Sequence, residues 1–329
     1  MLSFQAHAKQ HYTWIFSCAC SPDGQFVATS SDDGTAKVWG ITNGNLVYTL
    51  RPPTEGAVDK VTFSSSGYLA TISNRLFDVT VNLWEPLTYI LANTFTMEKN
   101  RDKCKSNTRS ALNNGIAIGS DKCISIWNIE DGSMIRTFGT NAEGLAFSSN
   151  YGILASHSDN GEVKLWNPDS GNSIGTLSCF DSRIISLTFS FDDTQLATAS
   201  DNGAISIWDL KTKGIKAKPT QYYPIDFVTF SLDGGLIAAA SKGGVVSIWD
   251  GDTGEHRASL TGQSENVLWL QFSYDGSMLA SSCPSGVISV WNVQDGSLLR
   301  TLKGHKNWVR RVQFSMDNRK LASVSDDGT

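Results

Sequence analysis

The sequence predicts an all-β fold assembled from repeated four-stranded units, and three observations carry that prediction. A tryptophan recurs as Trp39, Trp84, Trp127, Trp166, Trp208, Trp249 and Trp291, at intervals of 45, 43, 39, 42, 41 and 42 residues. Each ends a short, mostly apolar run such as Ile205-Ser206-Ile207-Trp208, whose residue types favour a strand. Ahead of that run stand turn residues, as in Asp201-Asn202-Gly203, and a small apolar strand, as in Ala197-Thr198-Ala199. A period near 42 with one Trp per repeat marks a repeat array.

Each unit divides into four parts. The first strand ends in Phe-Ser, as in Val61-Thr62-Phe63-Ser64, Leu187-Thr188-Phe189-Ser190, Val228-Thr229-Phe230-Ser231 and Val312-Gln313-Phe314-Ser315. A turn follows, as in Pro22-Asp23-Gly24 or Tyr274-Asp275-Gly276, where Gly takes a positive φ at little cost. The second strand is small and apolar: Leu69-Ala70-Thr71, Leu154-Ala155-Ser156, Leu196-Ala197-Thr198, Leu279-Ala280-Ser281. Small residues there let neighbouring sheets approach. The third strand ends at the Trp, and a turn such as Asp252-Thr253-Gly254 leads to a fourth strand such as Leu298-Leu299-Arg300-Thr301-Leu302. Four short antiparallel strands repeated radially are the signature of a β-propeller. A lone twisted sheet cannot bury both faces, whereas face-to-face packing against two neighbours does.

Three places depart from the pattern. Residues 100–120 should begin the third unit, yet Asn100-Arg101-Asp102-Lys103-Cys104-Lys105 is polar and lacks Phe-Ser, so a poorly ordered edge or a loop is expected. Lys211, Lys213, Lys216 and Lys218 follow Trp208. They suit a solvated outer strand whose charges discourage edge pairing, with a basic docking patch as the alternative. Residues 305–329 begin an eighth unit, in which Ser325-Asp326-Asp327-Gly328-Thr329 copies Ser31-Asp32-Asp33-Gly34-Thr35. One array over 1–329 is expected: seven four-stranded blades plus an incomplete eighth repeat. The alternative has Leu2-Ser3-Phe4 completing the last blade, and the abrupt stop suits a fragment of a longer array.

Composition narrows the function. Hydrophobic residues are 40% and charged residues 18% of 329, the balance of a globular chain. A net charge of -5 argues against a nucleic-acid partner, which usually selects a basic footprint. No apolar run approaches the roughly 20 residues of a membrane span, and no secretory signal opens the chain. The six cysteines are irregularly spaced without C-x-x-C, and the five histidines offer no metal pairing. Reduced thiols in the cytoplasm, or alternatively the nucleus, are expected, with no metal and no cofactor. Asp252-Thr253-Gly254 looks like a protease triplet but recurs in register as a turn, and Asp32-Asp33-Gly34 lacks the spacing of a calcium loop. No nucleophile elbow, phosphate loop or zinc-binding helix motif occurs. An enzyme is not expected.

These residues resemble the WD40-repeat propeller family over nearly the whole chain. Trp208-Asp209 and Trp249-Asp250 match its Trp-Asp pair, Trp127-Asn128, Trp166-Asn167 and Trp291-Asn292 are near variants, and Gly304-His305 matches its Gly-His. The resemblance implies a buried tie of His, a Ser or Thr, a turn Asp and the Trp, complete only in the first unit as His11, Ser30, Asp33 and Trp39. It also implies three positions per blade on one rim of the ring. These carry Trp14, Phe16 and Asp32 in the first unit, Asn141, Glu143 and Asp159 in the fourth, and Arg183, Ile185 and Asp201 in the fifth. They carry Asp226 and Lys242 in the sixth, Leu268 in the seventh, and Trp308, Arg310 and Asp326 in the eighth. Trp14 and Trp308 would be adjacent if the eighth and first units close the ring. The implied function is non-enzymatic recognition of a protein or peptide on this rim. The near-uniform repeats are similar to the WD40 arrays of fungal NACHT-type signalling NTPases, where the array acts as sensor. A free-standing adaptor, such as a ubiquitin-ligase substrate receptor, is the alternative.

Overall fold

Phe-Ser-x-Asp closes the first turn of the fifth to eighth units through its serine. Ser190 Oγ donates to Asp192 Oδ1 at 2.6 Å and accepts from the Gln195 amide at 3.0 Å. Ser231 and Asp233 repeat the contact at 2.5 Å, and Ser273 and Asp275 at 2.6 Å. A buried hydroxyl thereby satisfies backbone groups that the reversal would leave unpaired.

The computed structural model describes residues 11–74, 78–98, 109–112, 115–119, 123–139, 142–150, 152–158, 160–178, 182–221, 223–260 and 266–329. They form seven four-stranded sheets, each an antiparallel meander in the order a-b-c-d, and one two-stranded sheet. Blade 1 comprises Ile15–Cys20, Phe26–Ser31, Ala36–Gly40 and Leu46–Leu50. Blade 5, on the central repeat, comprises Ile184–Phe189, Gln195–Ser200, Ile205–Asp209 and Gly214–Ala217. The two-stranded sheet pairs Val309–Phe314 with Leu321–Ser325. The β-propeller class and the seven-plus-partial count follow the expectation.

The chain divides into two compact units. One holds blades 1 to 3 with residues 324–329; the other holds blades 4 to 7 with residues 309–323. Within each, the core lies between consecutive sheets. Ala28, Ala36 and Val38 of blade 1 pack against Val61, Leu69 and Trp84 of blade 2. Ala197, Ile205 and Ile207 of blade 5 pack against Val228, Ile237 and Trp249 of blade 6. The small residue of strand b is Ala28, Ala70, Ala117, Ala155, Ala197, Ala238 and Ala280, and every one is fully buried. A larger side chain there would hold the sheets apart.

The pairing of strands c and d shifts register at the Trp in all seven blades, as between Val38 and Trp39 or Ile207 and Trp208. Such an irregularity bends the strand locally. Gly328, at φ +83°, faces the His11 carbonyl so closely that a Cβ would lie 2.7 Å from it, and Gly286 meets His305 in the same way. The C-terminal segment thus packs on blade 1 within the first unit.

Two expectations are corrected. Within the region where a loop or poorly ordered edge was expected, Arg109–Leu112 pairs with Gly115–Gly119 and supplies the first strand of blade 3. Residues 99–108 lie outside the described residues, as do residues 1–10. The tie of the first blade uses Thr29, not Ser30. Trp39 lies opposite Val27, and alternation along the strand places the side chain two residues on, Thr29, on the face of the indole. Ser30 Oγ points away and is buried without a hydrogen-bond partner.

The lysines after Trp208 stand on and around strand d of blade 5. Lys216 pairs with Asp252 at 2.6 Å, and Lys213 donates to the Ile174 carbonyl. The Asp252-Thr253-Gly254 triplet is a turn, with Thr253 donating to Asp250 and Gly254 at φ +72°.

Candidate interaction surface

In each meander the b–c turn and the connection into the next blade share one end. A backbone hydrogen bond joins two of the rim positions there. The Asp32 amide donates to the Trp14 carbonyl at 3.0 Å, Asp201 to Arg183 at 3.0 Å, and Lys242 to Pro224 at 2.9 Å. Between them strand a carries a bulge, centred on Phe16, Ile185 and Asp226. A bulge re-aims the side chain it carries, so three blades turn their flanking residue by one device. In blade 7 the ladder begins only at Trp269, and the Leu268 amide ahead of it donates to the Ser282 carbonyl at 2.8 Å.

In the first unit, Trp14 is 52% exposed, Phe16 is half-buried and Asp32 is exposed. Asp326 belongs to this unit as well and is buried; Asn141 and Asp159 lie outside the described residues, and the remaining predicted residues belong to the second unit. Arg183 is half-exposed and reaches the buried Glu143, whose Oε2 accepts from Nε at 3.0 Å and from Nη2 at 2.8 Å. Arg183 thus has a structural partner that the sequence did not assign. Asp201 and Lys242 are exposed, and Leu268 is half-buried. Burial raises the Asp226 carboxyl above its ordinary range, and Lys242 opposes that shift. Trp308 is 42% exposed, and the Arg310 guanidinium lies 4.8 Å from its ring centroid.

A second aromatic-cation group escaped sequence reasoning. The rings of Phe227 and Trp269 lie 4.4 Å apart, and the Arg311 guanidinium stands 4.3 Å from the Trp269 centroid. These residues hold one register position in blades 6, 7 and 8, the position of Ser17 and Ser186 in blades 1 and 5. The signal was present in the sequence: aromatic and basic side chains at a register place where the first and fifth units carry serine. Stacking fixes the plane of a guanidinium and pre-organises its donors.

The buried tie lies behind this end. Thr29 Oγ1 accepts from Trp39 Nε1 at 2.9 Å and lies 2.9 Å from His11 Nε2, while His11 Nδ1 lies 2.9 Å from Asp33 Oδ2. Later blades keep parts of it. Trp84 donates to Thr71, Trp166 to Ser156, Trp208 to Thr198 and Trp291 to Ser281. His305 meets Ser323 at 2.8 Å in the eighth repeat. Among the described residues, no group of His, Cys, Asp and Glu is placed to hold a metal ion, and no helix is long and apolar enough to cross a membrane.

The repeated meander, the Trp at the end of strand c and the His-Thr-Asp tie define a propeller of the WD40 class. The chain belongs to the WD domain, G-beta repeat family, whose profile matches residues 2–40, 171–209, 220–250, 254–292 and 296–329. Residues 41–170 lie outside those matches, yet contain blades 2 and 3 and the first three strands of blade 4. The chain is 28% identical over 121 residues to the Nuclear distribution protein PAC1 of Debaryomyces hansenii, covering 36% of this chain and 21% of that protein. It is 29% identical over 175 residues to Periodic tryptophan protein 2 of Arabidopsis thaliana, covering 52% of this chain and 19% of the relative. The matches thus span about a fifth of those relatives. The crystal structure of the computationally designed Ika8 protein superposes with a TM-score of 0.82 at 24% identity, over 97% of this chain and 95% of that one, a likeness of fold alone.

Proposed function

We propose that this chain is a non-enzymatic protein-interaction scaffold that takes a protein or peptide at the end of its blades carrying the b–c turns. The observation that carries the reading is the exposed Trp308 under Arg310, in the same unit as the Phe227–Trp269–Arg311 stack. Trp and Arg dominate interface energetics because each combines a large contact area with directional polar groups. Trp14 and Phe16 provide the corresponding aromatic pair of the first unit.

The test compares proteins captured by the wild type with those captured by Trp308→Ala/Arg310→Ala and by Trp14→Ala, each confirmed folded by thermal melting. Partners lost with either variant at unchanged melting temperature support the reading. An unchanged partner set with both variants overturns it.

The more specific form is the sensing array of a larger NACHT-type NTPase; a free-standing adaptor is its alternative. Near-uniform repeats such as Gly304-His305-Lys306-Asn307-Trp308 support the sensor. An in-frame NTPase domain upstream in the transcript supports it further, and a transcript encoding the propeller alone favours the adaptor. Reduced cysteines suit a cytoplasmic location, tested by microscopy of the tagged chain.

A further inference from the structure

The end of the blades opposite the candidate surface has its own chemistry. There the a–b and c–d turns lie together. Four successive a–b turns of the second unit carry a large side chain directly after the turn serine: Phe191, Leu232, Tyr274 and Met316. Met316 is 67% exposed, Phe191 60% and Leu232 37%, while Tyr274 is half-buried. The turn does not ask for them. Ser65 and Ser149 hold the same place in blades 2 and 4, and the bonds that close the turn are made by the serine before and the aspartate after.

Single exposed apolar residues are ordinary; a row repeated in register is not. The turns that carry it are laid side by side. Ser190 Cβ is 3.7 Å from where a Cβ on Gly234 would stand, and the Tyr274 amide donates to Asn318 Oδ1 at 2.7 Å. Each apolar residue is followed by a carboxylate: Asp192, Asp233, Asp275 and Asp317. Serine hydroxyls foremost hold Asp192, Asp275 and Asp317 below the usual carboxylate range, so all three stay ionised near neutrality. Of the cations at this end, Arg257 is held by Asp250 at 2.6 Å, Lys213 by the Ile174 carbonyl and Lys216 by Asp252, while Lys211 is exposed in the c–d turn of blade 5. Arg319 and Lys320 stand beside Asp317.

We propose that this end of blades 5 to 8 is a second docking surface, for a basic amphipathic segment of a partner protein. Its apolar side seats on Phe191, Leu232 and Met316, and its lysines or arginines stand opposite Asp192 and Asp233. Charge complementarity selects that occupant: an acidic segment or an anionic membrane surface meets the same carboxylates and is repelled.

The test uses the full chain and a fluorescein-labelled 14-residue Leu/Lys peptide patterned as an amphipathic helix, with a Leu/Glu counterpart, followed by anisotropy. Saturable one-to-one binding of the Leu/Lys peptide alone is expected. Phe191→Ser/Leu232→Ser/Met316→Ser should weaken it at least tenfold. Asp192→Asn/Asp233→Asn keeps the turn acceptors and should weaken it at least threefold, with a shallower salt dependence. Trp308→Ala/Arg310→Ala should leave it within twofold, which separates this surface from the one proposed above. Unchanged affinity in the first two variants, equal binding of the Leu/Glu peptide, non-saturable binding, or loss confined to Trp308→Ala/Arg310→Ala overturns the proposal.

Discussion

Thr29 Oγ1 accepts the indole N–H of Trp39 at 2.9 Å and donates to His11 Nε2 at the same distance. The direction follows from the far end of the chain: Asp33 can only accept, so His11 Nδ1 carries the proton and Nε2 is the acceptor. Four side chains, drawn from the start of the unit, strands b and c, and the turn between them, are thereby locked in one sequence of donors.

Thr29→Val keeps the shape and removes the shared oxygen, leaving the Trp39 N–H and His11 Nε2 without their partner. A loss of about 1–3 kcal/mol is expected in urea unfolding. Ser30→Ala removes a hydroxyl that makes no bond and should change stability by less than about 0.5 kcal/mol. The reverse order would restore Ser30 to the tie.

His11 gives a pH dependence of definite sign. Burial foremost lowers its pKa from the ordinary 6.5, with the hydrogen bond that His11 donates to Asp33 opposing. The unfolded chain therefore binds more protons below about pH 6.5, and stability falls as pH falls through that value. Asp33 is also held low, so its share is lost only at more acid pH, below 3.8. His11→Gln should be less stable at pH 8 and should flatten the slope between pH 7 and 5. An unchanged slope would remove His11 as its source.

Arg183→Ala strands the buried Glu143 carboxylate that now accepts two N–H groups. A destabilisation of about 1–3 kcal/mol is expected, partly restored by Glu143→Gln in the same chain. If Arg183→Ala melts like the wild type yet loses a partner, Arg183 serves binding rather than the fold.

Blade 6 lacks the hydroxyl that four other blades supply after Thr29, because Ala239 stands where Thr198 and Ser281 do. Ala239→Ser offers Trp249 Nε1 the acceptor that Ser281 gives Trp291 at 2.8 Å. A gain of about 0.5–1.5 kcal/mol is expected from one added buried hydrogen bond. A loss would mean that the fully buried Ala239 has no room for one more atom.

The period of the Trp residues, the Phe-Ser-x-Asp turns and the small residues of strand b determined the fold class, because local turn chemistry and two-residue alternation are written in adjacent positions. They also determined which residues share the end of a blade, since a repeat transfers register from one unit to the next. Tertiary structure alone decided the rest. It placed Thr29 rather than its neighbour Ser30 on the indole, because one position along a strand reverses the face. It gave Arg183 to Glu143, forty residues earlier in the chain, and brought Phe227, Trp269 and Arg311 into one stack from three blades. Contacts of that kind depend on how one sheet packs on the next, which no single repeat encodes.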